Sequence, residues 1–263
     1  MSTRGVLTFP VVPEGVPDSL APGGRYLVRF ARTEEELDRL LRLRYEVFNL
    51  ELREGLDTAH ANGRDEDEFD RRFHHLLIEE RPTGEVVGTY RMQTAEMAEA
   101  GGYYSAGLFQ VESLPEAVRR SAVEVGRACI ARPHRNGRVL RLLWKGLAGY
   151  LAWNRKTRLF GCCSLTSQDE GLGVAAHRHL LAKGAMHPTL RVDPRPEHRC
   201  STRSPLTADR SPFTVPALFQ TYLDLGAKAL GPPAIDPEFK TIDWLVLLDV
   251  AELEPVTFRS FFG

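Results

Sequence analysis

The chain has 263 residues, 43% hydrophobic and 26% charged, with 34 basic against 35 acidic side chains and a net charge of −1. Those proportions fit a folded globular protein and exclude a disordered chain, a collagen-like repeat and a globally basic nucleic-acid binder. No window reaches the roughly 18 uninterrupted apolar residues of a membrane span, and the best stretch, 142–153, carries Lys145. The apolar run 5–12 is broken by Pro10, which does not fit a secretory signal. Cys129, Cys162, Cys163 and Cys200 contain no CxxC and do not make a disulfide framework, so the expectation is a cytoplasmic protein.

Residues 1–24, with Pro10, Pro13, Pro17 and Pro22, read as a flexible leader ahead of one domain over 25–263. Tyr26–Phe30 reads as a strand. Thr33 and Glu36 have capping-box spacing and open a helix with Leu37, Leu40, Leu41 and Phe48 on one stripe. Arg44 falls on that stripe, and a cation facing a core demands a carboxylate opposite it. An acidic loop over 55–70 follows, then an antiparallel hairpin of 75–79 and 85–92 around Pro82-Thr83-Gly84. Residues 122–131 make a third strand, followed by the loop 133–137 and an amphipathic helix from about Arg138 to Trp153. A strand over 159–165, a helix over 173–183, an aperiodic mobile insert or lid over 191–212, a helix over 216–230 and a buried strand over 244–250 complete the chain. Mostly antiparallel strands interrupted by helices indicate the α+β class.

Between Glu124 and Asp169 there is no acidic residue, whereas Arg127, Arg132, Arg135, Arg138, Arg141, Lys145, Arg155, Lys156 and Arg158 lie there. Such a cluster at a strand–loop–helix junction, where free helix amides attract anions, points to a phosphate site or a docking face for an acidic partner; the plain alternative is a solvated helix surface. Glu124, in an otherwise apolar strand just before that loop, is placed either to act as a base or to pair with a buried arginine. In a straight strand it shares a face with Gly126, and Arg127 points to the other. His74-His75 and His177/His179 lack further ligands, so no metal is expected. His60 and Asp65 spell a His-x4-Asp pattern without companions, and this reads as a loop.

Arg44-Tyr45-Glu46-Val47-Phe48, Asp67-Glu68-Phe69-Asp70, Gly88-Thr89-Tyr90-Arg91 and Glu124-Val125-Gly126-Arg127 come in the order of a known pattern. The chain resembles GNAT-fold acyltransferases that draw acyl groups from acyl carrier protein. Leu143–Leu147, Gly161–Ser164 and the segment 233–245 resemble the ornithine-lipid N-acyltransferases (hemolysin-like) more than the acyl-homoserine-lactone synthases. The resemblance covers nearly everything from Tyr26 onward. It implies a single GNAT-like domain whose mixed, mostly antiparallel sheet is flanked by helices. It also implies transfer of a long, 3-hydroxylated acyl chain to the α-amine of ornithine or a similar amino acid.

By the same resemblance Glu124 is the base, and an amide near Arg127 or Ala128 stabilises the oxyanion. The acyl-pantetheine arm enters between 124–130 and 159–164. Its phosphate rests at the loop Arg135, Asn136, Gly137, Arg138 and Val139. Arg44, Asp67, Asp70, Arg91 and Arg127 shape the amino-acid pocket, one arginine pairing with the substrate α-carboxylate. Arg141, Lys145, Arg155 and Lys156 would dock the carrier protein. No cofactor is held tightly. His134 and Val139 replace residues usual in coenzyme A-dependent relatives, so coenzyme A is disfavoured against the acyl-phosphopantetheine of a carrier protein. A greasy product implies peripheral contact with the inner membrane through the basic face or the insert. The alternatives are a signal synthase using S-adenosylmethionine, a coenzyme A-dependent acetyltransferase for a small amine, and a non-catalytic module binding acyl carrier protein or lipid.

Overall fold

In a computed structural model, which describes residues 9–17, 24–200 and 214–262, the chain forms two compact units. The first takes the described residues up to Gly101 together with Val125–Lys156, and the second takes Gly102–Glu124 with Thr157–Phe261.

In the first unit, strands β1 (Tyr26–Phe30), β2 (His74–Glu80) and β3 (Val86–Thr94) are antiparallel neighbours. The later residues of β4 (Ala122–Ile130) lie next to β3. Helix α1 (Glu34–Arg44) starts on the expected capping box: Thr33 Oγ1 accepts from Glu36 N at 3.2 Å, and Glu36 Oε2 accepts from Thr33 N at 3.3 Å. Its Leu37, Leu40 and Leu41 pack on Leu77 and Ala31. A short α2 (Ala95–Ala98) follows β3.

After α3 (Glu116–Arg120, in the second unit) and β4, helix α4 (Arg138–Trp153) lies across β1–β3. Gly146 permits that close approach, because a Cβ there would stand 2.4 Å from Leu76 Cδ2. Part of the expected leader is fastened to this unit. His74 Nε2 contacts Val11 O at 2.6 Å, Trp153 Nε1 donates to Glu14 O at 2.8 Å, and Asn154 Nδ2 donates to Gly15 O at 2.9 Å.

In the second unit, Ala122–Glu124 of β4 pair in parallel with Arg158–Phe160 of β5 (Arg158–Leu165). Helices α5 (Glu170–Ala182) and α6 (Ala217–Asp224) precede β6 (Lys228–Ala229) and β7 (Ala234–Asp236), and β8 (Thr241–Asp249) pairs antiparallel with β5, β6 and β7. Helix α7 (Pro255–Phe262) ends the described chain. The helix expected over 216–230 stops at Asp224, because the chain turns at Gly226 (φ +92°) and 228–229 join the edge of β8. In the expected mobile insert, Val192 N donates to Leu230 O at 2.9 Å, and Pro194 and Arg199 bridge to Phe109 and Ala234. Its remainder, 201–212, lies outside the described residues.

Candidate functional site

Arg44 closes α1 on the same stripe as the core leucines and is fully buried. Directly after it the helix widens over Tyr45–Glu51, with Leu52 N donating to Val47 O at 3.0 Å, a five-residue span of a kind that recurs near functional sites. The carboxylate that this guanidinium demands is present twice. Asp65 Oδ1 accepts from Nε at 2.8 Å and from Nη2 at 2.5 Å, and Asp70 accepts from Nη1 at 2.6 Å and from Nη2 at 3.2 Å. Arg91 Nη1 reaches both oxygens of Asp67, at 2.7 and 2.8 Å, and Asp70 Oδ1 at 3.0 Å. Arg127 joins Asp65 and Asp67, each at 3.2 Å.

Three arginines and three aspartates thus alternate in one closed ring, Arg44–Asp65–Arg127–Asp67–Arg91–Asp70, whose charges cancel. Arg127 sits at φ +51°, in the left-handed region that few non-glycine residues adopt, so the straight-strand alternation expected for 124–127 is broken there. Burial works against ionised Asp70, but Arg44 and Arg91 outweigh it and hold the carboxyl far below the usual range. Asp67 is the most exposed of the six side chains, at 14%, and lines a surface cleft of about 390 Å³ with Thr58, Asn62, Arg64 and Arg71. Asp65 was legible in the sequence only as part of an acidic run. It has no role in a His-x4-Asp motif, since its Oδ1 is committed to Arg44 and Arg127 while His60 contacts Tyr45.

Glu124 is 2% exposed and held by three donors in the second unit. Oε1 accepts from Ser105 N at 2.8 Å and from Ser105 Oγ at 2.6 Å, and Oε2 accepts from Tyr104 N at 3.0 Å. This grip fixes the carboxylate in one orientation. No motif marks Ser105, because the contact depends on a 3-10 turn over Tyr104–Gly107 meeting β4.

At the loop before α4, Gly137 is the N-cap, with φ +75°, and Asn136 Oδ1 accepts from Arg138 N at 3.2 Å. Val139, expected in the phosphate set, is a core residue at 0% exposure. Arg135 is held by Glu51, with Nη2 to Oε2 at 2.8 Å, and His134 Nδ1 contacts Tyr26 OH at 3.0 Å. Arg138, Arg141, Lys145 and Arg155 are exposed. Lys156 departs from the expected docking set: it pairs with Glu96 at 2.6 Å and its side chain is 8% exposed.

A family model described as "Acetyltransferase (GNAT) domain" matches residues 43–145, which take in Arg44, the ring aspartates, Glu124 and most of the basic loop. An L-ornithine N(alpha)-acyltransferase of Agrobacterium fabrum (strain C58 / ATCC 33970) is 33% identical over 91% of this chain and 86% of its own. Another with that name, from Rhizobium meliloti (strain 1021), is 32% identical over 86% of this chain and 80% of its own. The chain belongs to the L-ornithine N(alpha)-acyltransferase family. It is therefore an acyltransferase, and its fold is the GNAT fold, a mixed, mostly antiparallel sheet with flanking helices. A solved structure of a CoA-dependent acyl-homoserine lactone synthase, BjaI, with MTA shares that fold at TM-score 0.51 and 16% identity, covering 87% of this chain and 81% of that one.

Among the described residues of this acyltransferase no helix is long and apolar enough to cross a membrane, and no three His, Cys, Asp or Glu side chains converge as metal ligands. The two histidines of β2 are instead buried in the framework. Burial pushes His74 and His75 down to about 4, against the Val11 carbonyl and Asp70 respectively. Both are therefore neutral when folded and chargeable when unfolded. Their contribution to stability is complete above pH 6.5 and is lost as pH falls toward 4, with a slope approaching about 2.7 kcal/mol per pH unit for two protons. Urea unfolding at pH 7, 6 and 5 should show that decline, and a flat profile would contradict neutral burial of the pair.

Proposed function

We propose that the chain transfers a long, 3-hydroxylated fatty acyl group from acyl carrier protein to the α-amine of ornithine, releasing the carrier thiol and an N-acyl amino acid of the lyso-ornithine-lipid type. The observation that carries the reading is the identity of about a third with proteins named L-ornithine N(alpha)-acyltransferase over most of both chains. Glu124 is the base: one of its carboxylate oxygens, directly or through a water, takes the amine proton as the amine attacks the thioester carbonyl. The tetrahedral oxyanion is stabilised by a backbone amide near Arg127 or Ala128, and collapse expels the thiolate. The ion ring keeps Arg127 and its neighbours in place.

A carrier protein is preferred as donor because His134 and Val139 depart from the usual coenzyme A-binding pattern and because Arg141, Lys145 and Arg155 present exposed cations to an acidic partner. A charge reversal at Arg141 and Lys145, each to Glu, should raise the KM for acyl carrier protein tenfold or more at low salt and leave kcat within about threefold. An unchanged KM would remove α4 as the docking face. An amphiphilic product further implies peripheral contact with the inner membrane. The deciding experiment is expression in a bacterium lacking aminolipids, with mass spectrometry of total lipids beside a Glu124→Ala control. A new N-acylated ornithine absent from the control supports the reading. A soluble, folded protein that yields no new species overturns it.

A further inference from the structure

One face of the sheet in the second unit is apolar at its centre and polar along one lane. Leu245 and Leu247 of β8, Phe160 of β5, Ala122 of β4 and Ala234 of β7 share a single buried core cluster. Side chains alternate along strands, so Thr241 and Asp243 stand on that same face of β8, Asp236 on that face of β7 and Glu124 on that face of β4. Register agrees: Ala234 pairs with Asp243, Asp236 with Thr241, and Glu124 with Phe160. All four polar residues are buried, at 5% for Asp236, 0% for Thr241, 3% for Asp243 and 2% for Glu124.

Cys162 packs against the same cluster. Burial raises its thiol pKa well above the ordinary value, and Asp243, Glu124 and Asp236 raise it further, which places three carboxylates around one point of the face.

Carboxylates buried on an apolar face are costly unless cations or donors meet them. Asp236 Oδ1 accepts from Phe239 N at 2.9 Å, while Gln168 Nε2 ties the Asp236 and Thr241 carbonyls together at 3.0 and 3.1 Å, which fixes the end of the β7–β8 hairpin. Thr241 Oγ1 is different: it is fully buried and has no hydrogen-bond partner among the described residues. Such an orphan hydroxyl is costly and calls for a partner that arrives later. A primary ammonium supplies three donors, which suits one hydroxyl oxygen and two carboxylates.

We propose that Asp236, Thr241 and Asp243 form the subsite for the side-chain ammonium of a diamino-acid acceptor, with Glu124 toward the reacting α-amine. This rests on the acyl-transfer reading and adds the residues that select a second amine. A substrate lacking that amine would leave Thr241 Oγ1 unmatched, and so the site rejects it.

The test compares kcat/KM for ornithine with that for norvaline, the same amino acid without the side-chain amine, using one long-chain acyl donor. The wild-type chain should prefer ornithine by at least roughly a hundredfold. Asp243→Asn and Thr241→Val should each cut that ratio tenfold or more, chiefly through the KM for ornithine. Thr241→Val keeps strand-compatible branching and removes a hydroxyl that has no partner, so it should fold even if Asp243→Asn does not. A wild-type protein that uses both amino acids equally, or a folded Thr241→Val with the parental ratio, overturns the subsite while acyl transfer stands. A wild-type protein that acylates neither amino acid overturns the acyl-transfer reading and the subsite with it.

Discussion

Glu124→Gln is expected to lower kcat for N-acylation by about 10²–10⁴-fold, the range over which a positioned general base contributes. The KM for donor and acceptor should change little, because the amide is isosteric with the carboxylate. The amide also has to fit where three donors now point at two carboxylate oxygens: Tyr104 N, Ser105 N and Ser105 Oγ. Whichever oxygen becomes NH2 faces at least one N–H, a mismatch of about 1–3 kcal/mol. Thermal unfolding of the variant should therefore show a modest loss beside the large kinetic one. Turnover within threefold of the parent would remove Glu124 as the base. Ser105→Ala separates positioning from structure. It should lower kcat about tenfold with little change in Tm, since the one donor lost, Ser105 Oγ, orients the carboxylate, and Ser105→Thr should restore most of the rate.

Arg44→Met is the variant expected to cost the fold most. It leaves Asp65 and Asp70 at 0% exposure, with only Arg91 and Arg127 to face three carboxylates. Removing one partner of a buried pair costs about 3–5 kcal/mol, because the remaining charge is stranded rather than merely unpaired. In a protein of this size that is a fall in Tm of about 5–10 °C. Adding Asp70→Asn to Arg44→Met restores charge balance, so the double variant should regain part of the loss. This non-additivity in denaturant unfolding is the signature of the ring. A single variant that loses less than about 1 kcal/mol would mean the ring carries no structural weight.

The exposed cations of α4 mark where local reading succeeds and where it stops. Nine cations without an acid between Glu124 and Asp169 are a fact of composition, yet at least four of them meet carboxylates from elsewhere in the chain: Arg127 with Asp65 and Asp67, Arg135 with Glu51, Lys156 with Glu96, and Arg158 with Asp249. Arg138, Arg141, Lys145 and Arg155 keep the exposure that a docking face requires. Charge density read along a chain is thus an upper bound on the density a partner meets, because folding matches charges over sequence separations that a window never spans.

Most of the elements were legible from sequence, because each rests on short-range physics. Helix α1 starts where Thr33 and Glu36 exchange cap bonds, α4 spans the residues its apolar period marks, and β8 contains the apolar run 244–248 with both faces buried. The core position of Arg44 followed from the same period and carried with it the demand for a buried carboxylate. Tertiary structure decided the rest. It supplied Asp65 as a second partner of Arg44, gave Arg127 a left-handed backbone, brought Ser105 onto Glu124, and ended α6 at Asp224 so that two residues could pair with β8. Apart from Gly226, which can end a helix, none of these has a local signal, because each depends on groups that approach only after the strands are in register.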